Sequence, residues 1–177
     1  MFHVERKNER MIFLKIGIIS DTHNVLREEV VGHLHGCDYI IHAGDVCKEE
    51  VINRLNQITK TFVVRGNNDL LDLPDYLEIE MNQCLIYVVH DKRNIPDKLA
   101  GIDVVIYGHS HRYEQEEREG VLFLNPGSCG RRRFHLGLTM AVLYLEDGYI
   151  SVERIEISQE DMKISSKQDN RLRAIRN

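Results

Sequence analysis

The chain has 177 residues, a length that fits one domain, and its hydrophobic content of 42% is enough to build a buried core. Charged residues make up 29% of the chain and the formal net charge is −5, so the composition favours neither a nucleic-acid binder nor a membrane-surface protein. The longest apolar runs are strand-sized, far short of the roughly 20 residues that span a bilayer, and we expect a soluble protein.

The first half of the chain alternates predicted strands and helices. Residues 1–10 are polar and charged, without the apolar segment of a secretory signal, so we expect an N-terminal extension and a cytoplasmic location. Short apolar runs predict buried strands at residues 14–20, 39–42 and 61–64. Apolar side chains at helical spacing predict helices over residues 26–35 and 49–57. This alternation favours an α/β fold with a partly parallel sheet.

The second half is richer in strands. Residues 76–81 and 85–90 predict a hairpin-like pair, followed by a short helix over 95–100 and a buried strand over 104–107. Further strands are predicted at residues 113–117, 121–124, 138–145 and 149–157, with a turn at 146–148 between the last two. We therefore expect a single domain, a β sandwich covered by helices with a core at about 12–157, and a polar, basic C-terminal tail from about 158 to 177.

Polar side chains collect just after the predicted strands. In chain order they are Asp21, His23, Asp45, Asn67, His90, His109 and His111. Because the carboxyl ends of strands in α/β sheets border the binding crevice, residues that are far apart in sequence can converge there. Carboxylate and imidazole groups without a thiolate suit Mn, Fe, Zn, Ni or Co. This pattern predicts a metal site.

The same residues fall into five short motifs in a defined order. The motifs are Asp21-Thr22-His23, Gly44-Asp45, Gly66-Asn67-Asn68-Asp69, His90 and Gly108-His109-Ser110-His111. In order and spacing they resemble the signature of the calcineurin-like metallophosphoesterases. The closer resemblance is to the small YfcE-like or MJ0936-like phosphodiesterase branch of that superfamily, and it spans roughly residues 15–145.

The resemblance implies a four-layer metallophosphoesterase-type β sandwich flanked by helices, with mixed parallel and antiparallel sheets. It also implies two divalent metal ions, the first held by Asp21, His23 and His111, the second by Asn67, His90 and His109, with Asp45 as the bridge. Two cations about 3.5 to 4 Å apart can clamp the attacking and leaving oxygens of an in-line displacement at phosphorus, with a bound water or hydroxide as the nucleophile. We expect manganese first, with Ni, Co, Fe, Zn and Mg as alternatives.

Two positions depart from the larger superfamily. Many members have a His after the ligand Asn, where this chain has Asn68, and an amide can donate a hydrogen bond but cannot supply a proton. We assign Asn68 and Asp69 as candidate catalytic residues that either contact the substrate or orient a ligand, and a cap or turn role is the alternative for Asp69. The second departure is His90-Asp91-Lys92 in place of His-Gly-His, which restricts the backbone beside His90.

Simpler structural roles compete with metal binding at some of these positions. Asp21 and Asp45 could cap helices, and residues 67–68 could form a turn, but their ordered co-occurrence favours the metal site. His33 and His35 lie on a predicted helix, where surface or packing roles are expected.

Other polar residues near the motifs are expected to play supporting or surface roles. His42 is expected to be a core residue or a neighbour of a ligand, and the turn at residues 125–128 could line the site. The basic loop 131–133 is either solvated or meets a substrate phosphate or a partner. The four cysteines are widely spaced without a CxxC pair, which predicts free thiols.

Two functions of different classes follow from the resemblance. The first is a metal-dependent phosphoric ester hydrolase, namely a phosphodiesterase that acts on a small diester. Nucleic acid is expected only in the role of a substrate and not as a separate binding partner. The alternative is a non-catalytic protein-interaction scaffold, because the retromer subunit vacuolar protein sorting 29 resembles the same branch. All seven expected ligand types are present, which favours the enzyme. Exposed strands could support a homodimer, but no sequence pattern requires one.

Overall fold

Two five-stranded sheets make up most of the structure, a computed structural model that describes residues 13–133, 135–146 and 148–158. The predicted N-terminal extension, nearly all of the predicted tail and the central residue of the predicted 146–148 turn lie outside the described residues. None of the described helices is long and apolar enough to cross a membrane.

The described elements follow one another with short connections. The first half contains β1 (Phe13–Ile19), α1 (Glu28–Leu34), β2 (Tyr39–His42), α2 (Glu49–Ile58) and β3 (Thr61–Val63). The second half contains β4 (Tyr76–Met81), β5 (Cys84–Val89), a 3-10 turn (Lys92–Asn94), β6 (Val104–Ile106), β7 (Tyr113–Arg118), β8 (Val121–Pro126), β9 (Leu138–Glu146) and β10 (Tyr149–Ile157).

Both sheets mix parallel and antiparallel pairs. The first has the order β10-β9-β1-β2-β3. In it β1, β2 and β3 are parallel to one another, β9 is antiparallel to β1, and β10 is antiparallel to β9. The second has the order β4-β5-β6-β8-β7, in which β5, β6 and β8 are parallel and each edge strand is antiparallel to its neighbour. The parallel strands occupy the middle of the second sheet, whereas in the first sheet they occupy one side and β3 is an edge strand.

The main core lies between the two sheets. Ile18 and Leu143 of the first sheet and Ile86 and Ile106 of the second are fully buried in one cluster. On the outer face of the first sheet, α1 and α2 contribute buried apolar side chains to a second cluster. The outer face of the second sheet carries a third, smaller cluster that is covered by the segment 95–102. The layers are therefore helices, sheet, sheet and a covering segment.

The structure confirms the predicted fold class and corrects one element. The predicted strands and both helices of the first half are present, although α1 begins at Glu28 instead of residue 26. The predicted helix over 95–100 is wrong, because the only helical turn there is the 3-10 turn Lys92–Asn94. Ile95 is extended, with φ −69° and ψ 129°, which is the conformation that a following proline favours.

We expect the Leu143→Ala variant to lose about 2–5 kcal/mol of unfolding free energy, because it removes a fully buried side chain from the core between the sheets. Urea unfolding of metal-free protein measures this loss. The matched control is Leu70→Ala, since Leu70 is 99% exposed and its truncation should change stability by less than about 0.5 kcal/mol. Equal losses in the two variants would contradict the described core.

Candidate metal centre

The loops that follow β1 and β2 are joined by hydrogen bonds that extend the parallel pairing beyond the strands. The amide of Asp21 donates to the carbonyl of Gly44 at 3.0 Å, and the amide of His23 donates to the carbonyl of Asp45 at 3.0 Å. These bonds bring the first three predicted ligands to the same edge of the sheet.

Five of the seven predicted ligands have a positive φ, between 44° and 69°. They are Asp21, His23, Asp45, His109 and His111. Residues with a Cβ rarely adopt this left-handed conformation, and such strain is concentrated at functional sites. The backbone is therefore bent so that these side chains point into one space.

The first group of ligand atoms consists of Asp21 Oδ1, His23 Nε2 and His111 Nε2. The distances are 3.2 Å from His111 Nε2 to Asp21 Oδ1, 3.8 Å from His23 Nε2 to Asp21 Oδ1, and 3.3 Å between the two imidazole nitrogens. All three residues are buried. Asp21 Oδ1 accepts no hydrogen bond from any described residue, although it is inaccessible to solvent.

This arrangement fits a divalent cation. Metal bonds of about 2.0–2.2 Å to carboxylate and imidazole place neighbouring ligand atoms about 3.0–3.5 Å apart. Two of the three distances fall in that range, and a buried carboxylate oxygen without a donor is costly unless a cation contacts it. Burial acts to raise the pKa of Asp21, but contacts with His111, His90 and Ser20 lower it, so the carboxylate is ionised.

The second group contains Asn67, His90 and His109. Asn67 Oδ1 lies 3.1 Å from His90 Nε2 and 2.9 Å from His109 Nδ1. His90 Nδ1 donates to the carbonyl of Ala43 at 2.7 Å, because that oxygen can only accept. This bond fixes the tautomer of His90 and leaves the Nε2 lone pair directed at the cluster.

Asp45 lies between the two groups. Its Oδ2 is 3.7 Å from His23 Nε2 in the first group and 3.5 Å from His90 Nε2 in the second. Burial acts to raise the pKa of Asp45, but hydrogen bonds with His90 and Asn68 lower it well below its ordinary value. An ionised carboxylate is therefore available to both groups at once.

The candidate catalytic residues Asn68 and Asp69 both hold Asp45 in place. Asn68 donates its backbone amide to Asp45 Oδ1 at 2.8 Å and its side-chain amide to Asp45 Oδ2 at 2.7 Å. The buried carboxylate of Asp69 accepts from the backbone amides of Asp45, Cys47 and Gly66 at 2.9, 2.5 and 2.8 Å. Both residues contact the predicted ligand Asp45, and their catalytic role stays a prediction.

Three further residues position the predicted ligands: Ser20, which the sequence did not single out, and Asn125 and Ser128, which belong to the turn that the sequence placed beside the site. Ser20 Oγ donates to Asp21 Oδ2 at 2.7 Å, and Ser128 Oγ donates to the carbonyl of Asp21 at 3.0 Å. Asn125, fully buried, donates to the carbonyl of Gly108 at 2.8 Å and so holds the loop that carries His109 and His111. The partners of Ser128 and Asn125 lie far away in sequence, whereas Ser20 binds the residue that follows it.

Cys47 is a neighbour of the cluster that the sequence analysis treated as an ordinary thiol. Its Sγ lies 3.6 Å from His23 Nδ1, on the side of the imidazole ring opposite Nε2. Burial and the nearby Asp69 raise the pKa of this thiol to about 11, so it stays protonated. The thiol therefore contacts His23 without adding negative charge to the centre.

His33, His35 and His42 lie outside the cluster. His42 is buried, and burial lowers its pKa to about 4, so its ring is neutral. It contacts Thr22 Oγ1 at 2.9 Å and accepts from the amide of Gly44 at 3.2 Å, so it supports the two loops. His33 is an exposed residue of α1 and His35 is the exposed residue that follows α1.

The basic loop 131–133 is exposed. It follows Gly130, which packs against the loop after β1. Arg27 Nε donates to the carbonyl of Gly130 at 2.9 Å, and the Cα of Gly130 faces the backbone of Thr22 too closely for a side chain. Asp91, the position at which the resemblance led us to expect Gly, has an ordinary extended backbone with φ −104°. The missing glycine therefore causes no strain beside His90.

Known proteins share both the sequence pattern and the fold. The family model described as the calcineurin-like phosphoesterase superfamily domain matches residues 14–148. A probable metallophosphoesterase of Methanocaldococcus jannaschii is 36% identical over 128 residues, which cover 64% of this chain and 67% of that protein. A phosphodiesterase of the same organism is 30% identical over 140 residues, which cover 66% of this chain and 84% of that protein.

Among solved structures, vacuolar protein sorting 29 of Cryptosporidium parvum superposes with a TM-score of 0.67 at 21% identity, over 83% of this chain and 99% of that chain. This likeness concerns the fold alone.

We expect the Gly66→Ala variant to bind Mn²⁺ about 10- to 100-fold more weakly, a loss typical of displaced ligand supports. An added Cβ at Gly66 would overlap the backbone nitrogen and Oδ1 of Asp45. Calorimetric titration of chelator-stripped protein measures the affinity. Gly32→Ala is the matched control, because an added Cβ on that exposed helical residue meets nothing within 4 Å. An unchanged affinity in Gly66→Ala would contradict the described placement of Asp45.

Metal affinity should fall as the pH is lowered. Burial acts to lower the pKa of His90, but Asp45 and Asp21 raise it above its ordinary value of 6.5, so protons compete with a cation for Nε2 at near-neutral pH. His23 competes less, because burial lowers its pKa. Titrations with Mn²⁺ from about pH 8 to about pH 6, in buffers of different ionisation enthalpy, should show weaker binding and more protons released at the lower pH. A pH-independent affinity would show that His90 is not a ligand.

Proposed function

This chain belongs to the calcineurin-like phosphoesterase superfamily, and from that premise we propose that it is a metal-dependent phosphodiesterase. The observation that carries the proposal is the position of one ionised carboxylate, Asp45, within 3.5–3.7 Å of imidazoles from two separate ligand groups. A shared carboxylate of this kind is what a two-metal phosphoesterase site needs.

We propose the ligand assignment that the resemblance implied. Asp21, His23 and His111 hold the first divalent ion, Asn67, His90 and His109 hold the second, and Asp45 is shared. Distance alone defines two groups of ligand atoms: Asp21 with His23 and His111, and Asp21 with Asp45 and His90. Both groups contain Asp21, which supports a pair of adjacent sites. Manganese is the proposed ion, and Ni, Co, Fe, Zn and Mg have suitable ligand preferences as well.

When bound, the two cations would lower the pKa of a bound water, and their positive charge would stabilise the attacking and leaving oxygens at phosphorus. The protein contributes by holding the ligands in place before the substrate arrives. Asn68 fixes both oxygens of Asp45, and Asp69 fixes its backbone. The carbonyl of Ala43 orients the ring of His90. These supports keep the site in one geometry, which lowers the reorganisation that the reaction requires.

The chain offers no acid at the position of Asn68 to protonate a leaving group. The side-chain amide of Asn68 already donates to Asp45 Oδ2, and an amide has no titratable proton. The nearby Asp91 is held ionised, because its hydrogen bond with Arg93 lowers its pKa to about 2. We therefore propose that the enzyme prefers diesters whose leaving group is a stable anion.

The relatives support an enzyme, while the fold is shared with a protein of another class. The 30% identical relative in Methanocaldococcus jannaschii is named a phosphodiesterase. The similar fold of vacuolar protein sorting 29 makes a non-catalytic scaffold the alternative. The buried carboxylate oxygen of Asp21, which has no hydrogen-bond donor among the described residues, favours a bound cation and is compatible with both classes.

The cysteines support the proposed cytoplasmic location. All four, which lie in the described part of the chain, are free thiols, and three of them are buried. Free thiols are typical of proteins in reducing compartments.

The Asp45→Asn variant should lose at least about 100-fold in the hydrolysis of bis(p-nitrophenyl) phosphate, because an amide removes the shared negative charge. The assay uses chelator-stripped protein before and after addition of Mn, Ni, Co, Zn or Mg, and wild-type activity should appear only with metal. His33→Ala is the control, because His33 is an exposed residue of α1 and should retain wild-type turnover.

Full turnover in Asp45→Asn would contradict the assignment of Asp45 as the carboxylate shared by the two ions. No turnover of the wild type with any of the metals, from folded protein, would favour the scaffold.

A further inference from the structure

A cleft of about 630 Å³ opens beside the proposed second ion site. Asn67, His90 and His109 form one end of it, and the rest is lined by residues from the loop after β3, from β4 and β5, and from the segment 91–94. The volume is within the roughly 300–1,000 Å³ that small-molecule sites occupy. A second cleft, of about 640 Å³ around Leu99 and Phe123, includes none of the proposed ligands.

Two stacked tyrosines form one wall of the first cleft. The rings of Tyr76 and Tyr87 have centroids 5.6 Å apart and planes inclined by 21°. Tyr76 pairs with Val89 across β4 and β5 while Tyr87 pairs with Glu78, so the two tyrosines are diagonal neighbours on one face of the sheet. Tyr87 is 6% exposed and packed in the outer cluster, whereas Tyr76 is 55% exposed. A buried ring thus supports an accessible, flat aromatic surface.

The charges that line the cleft are paired. Arg65 Nε donates to Asp75 Oδ1 at 2.9 Å, and the guanidinium of Arg93 donates to both carboxylate oxygens of Asp91 at 2.5–3.1 Å. Each arginine therefore has a carboxylate partner, and the walls carry no excess positive charge for a further phosphate. They instead offer a flat ring with hydrogen-bond donors and acceptors beside it, which suits a planar, uncharged group with polar edges.

We propose that this cleft binds the nucleobase of a nucleotide phosphodiester, with the base stacked on Tyr76 and the phosphate at the metal centre. The three ligands at the end of the cleft make it continuous with the site of the reaction. The inference rests on the proposed function for the position of the phosphate. Stacking of a base on an aromatic side chain strengthens binding by about 5- to 100-fold and tolerates different bases.

Calorimetric binding of adenosine 5′-monophosphate and of ribose 5-phosphate to the Mn-loaded full chain tests the proposal. The two probes share the sugar and the phosphate and differ only in the base. The nucleotide should bind at least about 10-fold more tightly, as expected for a stacked base. Tyr76→Ala should reduce this ratio to within about twofold, and Tyr76→Phe should preserve it because the ring remains.

Tyr149→Ala is the matched control, because Tyr149 is 80% exposed on β10, in the other sheet. It should leave the ratio unchanged. Equal affinity of the wild type for the two probes overturns the proposal, and so does a ratio that Tyr76→Ala leaves intact.

Hydrolysis of bis(p-nitrophenyl) phosphate by the same samples separates this inference from the proposed function. Hydrolysis without a preference for the nucleotide rejects only the base site. A clear preference without hydrolysis rejects only the enzyme and leaves a nucleotide-binding protein.

Discussion

The geometry of the centre depends on Asp45 being held by two loops at once. Its backbone carbonyl accepts from the loop after β1, and its backbone amide and carboxylate are bound by the turn after β3. Because β1, β2 and β3 are parallel neighbours, these loops leave the sheet at the same edge. The second sheet brings His90, His109 and His111 to the same place, since the core between the sheets fixes their relative position. The ligands converge because of the strand order, since their sequence positions are far apart.

The left-handed backbone of five predicted ligands is tolerated because other parts of the structure determine it. Each such residue costs about 1–3 kcal/mol unless its surroundings hold it. Ser128 binds the carbonyl of Asp21, and Asn125 binds the carbonyl of Gly108, so the end of β8 and the turn after it hold these loops in place. Buried polar groups with complete hydrogen bonding are stiff as well as stable. The strained loops are therefore stiff, although most of their residues lie outside regular strands and helices.

The sequence predicted those features whose signals are local. The strands were predicted from short apolar runs, and the candidate ligands from polar residues at strand ends. The helix over 95–100 was predicted wrongly because apolar spacing outweighed Pro96, which keeps Ile95 extended. The contacts of Asn125 and Cys47 could not be predicted, because each depends on a partner that only the tertiary structure brings near. The same holds for the tyrosine wall, which requires the register of β4 and β5.

The charges of the centre favour a cation at this place. Asp21, Asp45 and His90 contribute ligand atoms that lie within 4.8 Å of one another, and both carboxylates remain ionised in spite of burial. Two buried negative charges this close repel each other unless positive charge lies between them. In metal-free protein that charge can be a proton on His90, whose pKa the two carboxylates raise above its ordinary value after burial has acted to lower it. A divalent cation at this place would replace that proton and offset both carboxylate charges, so we expect metal binding to stabilise the fold as well.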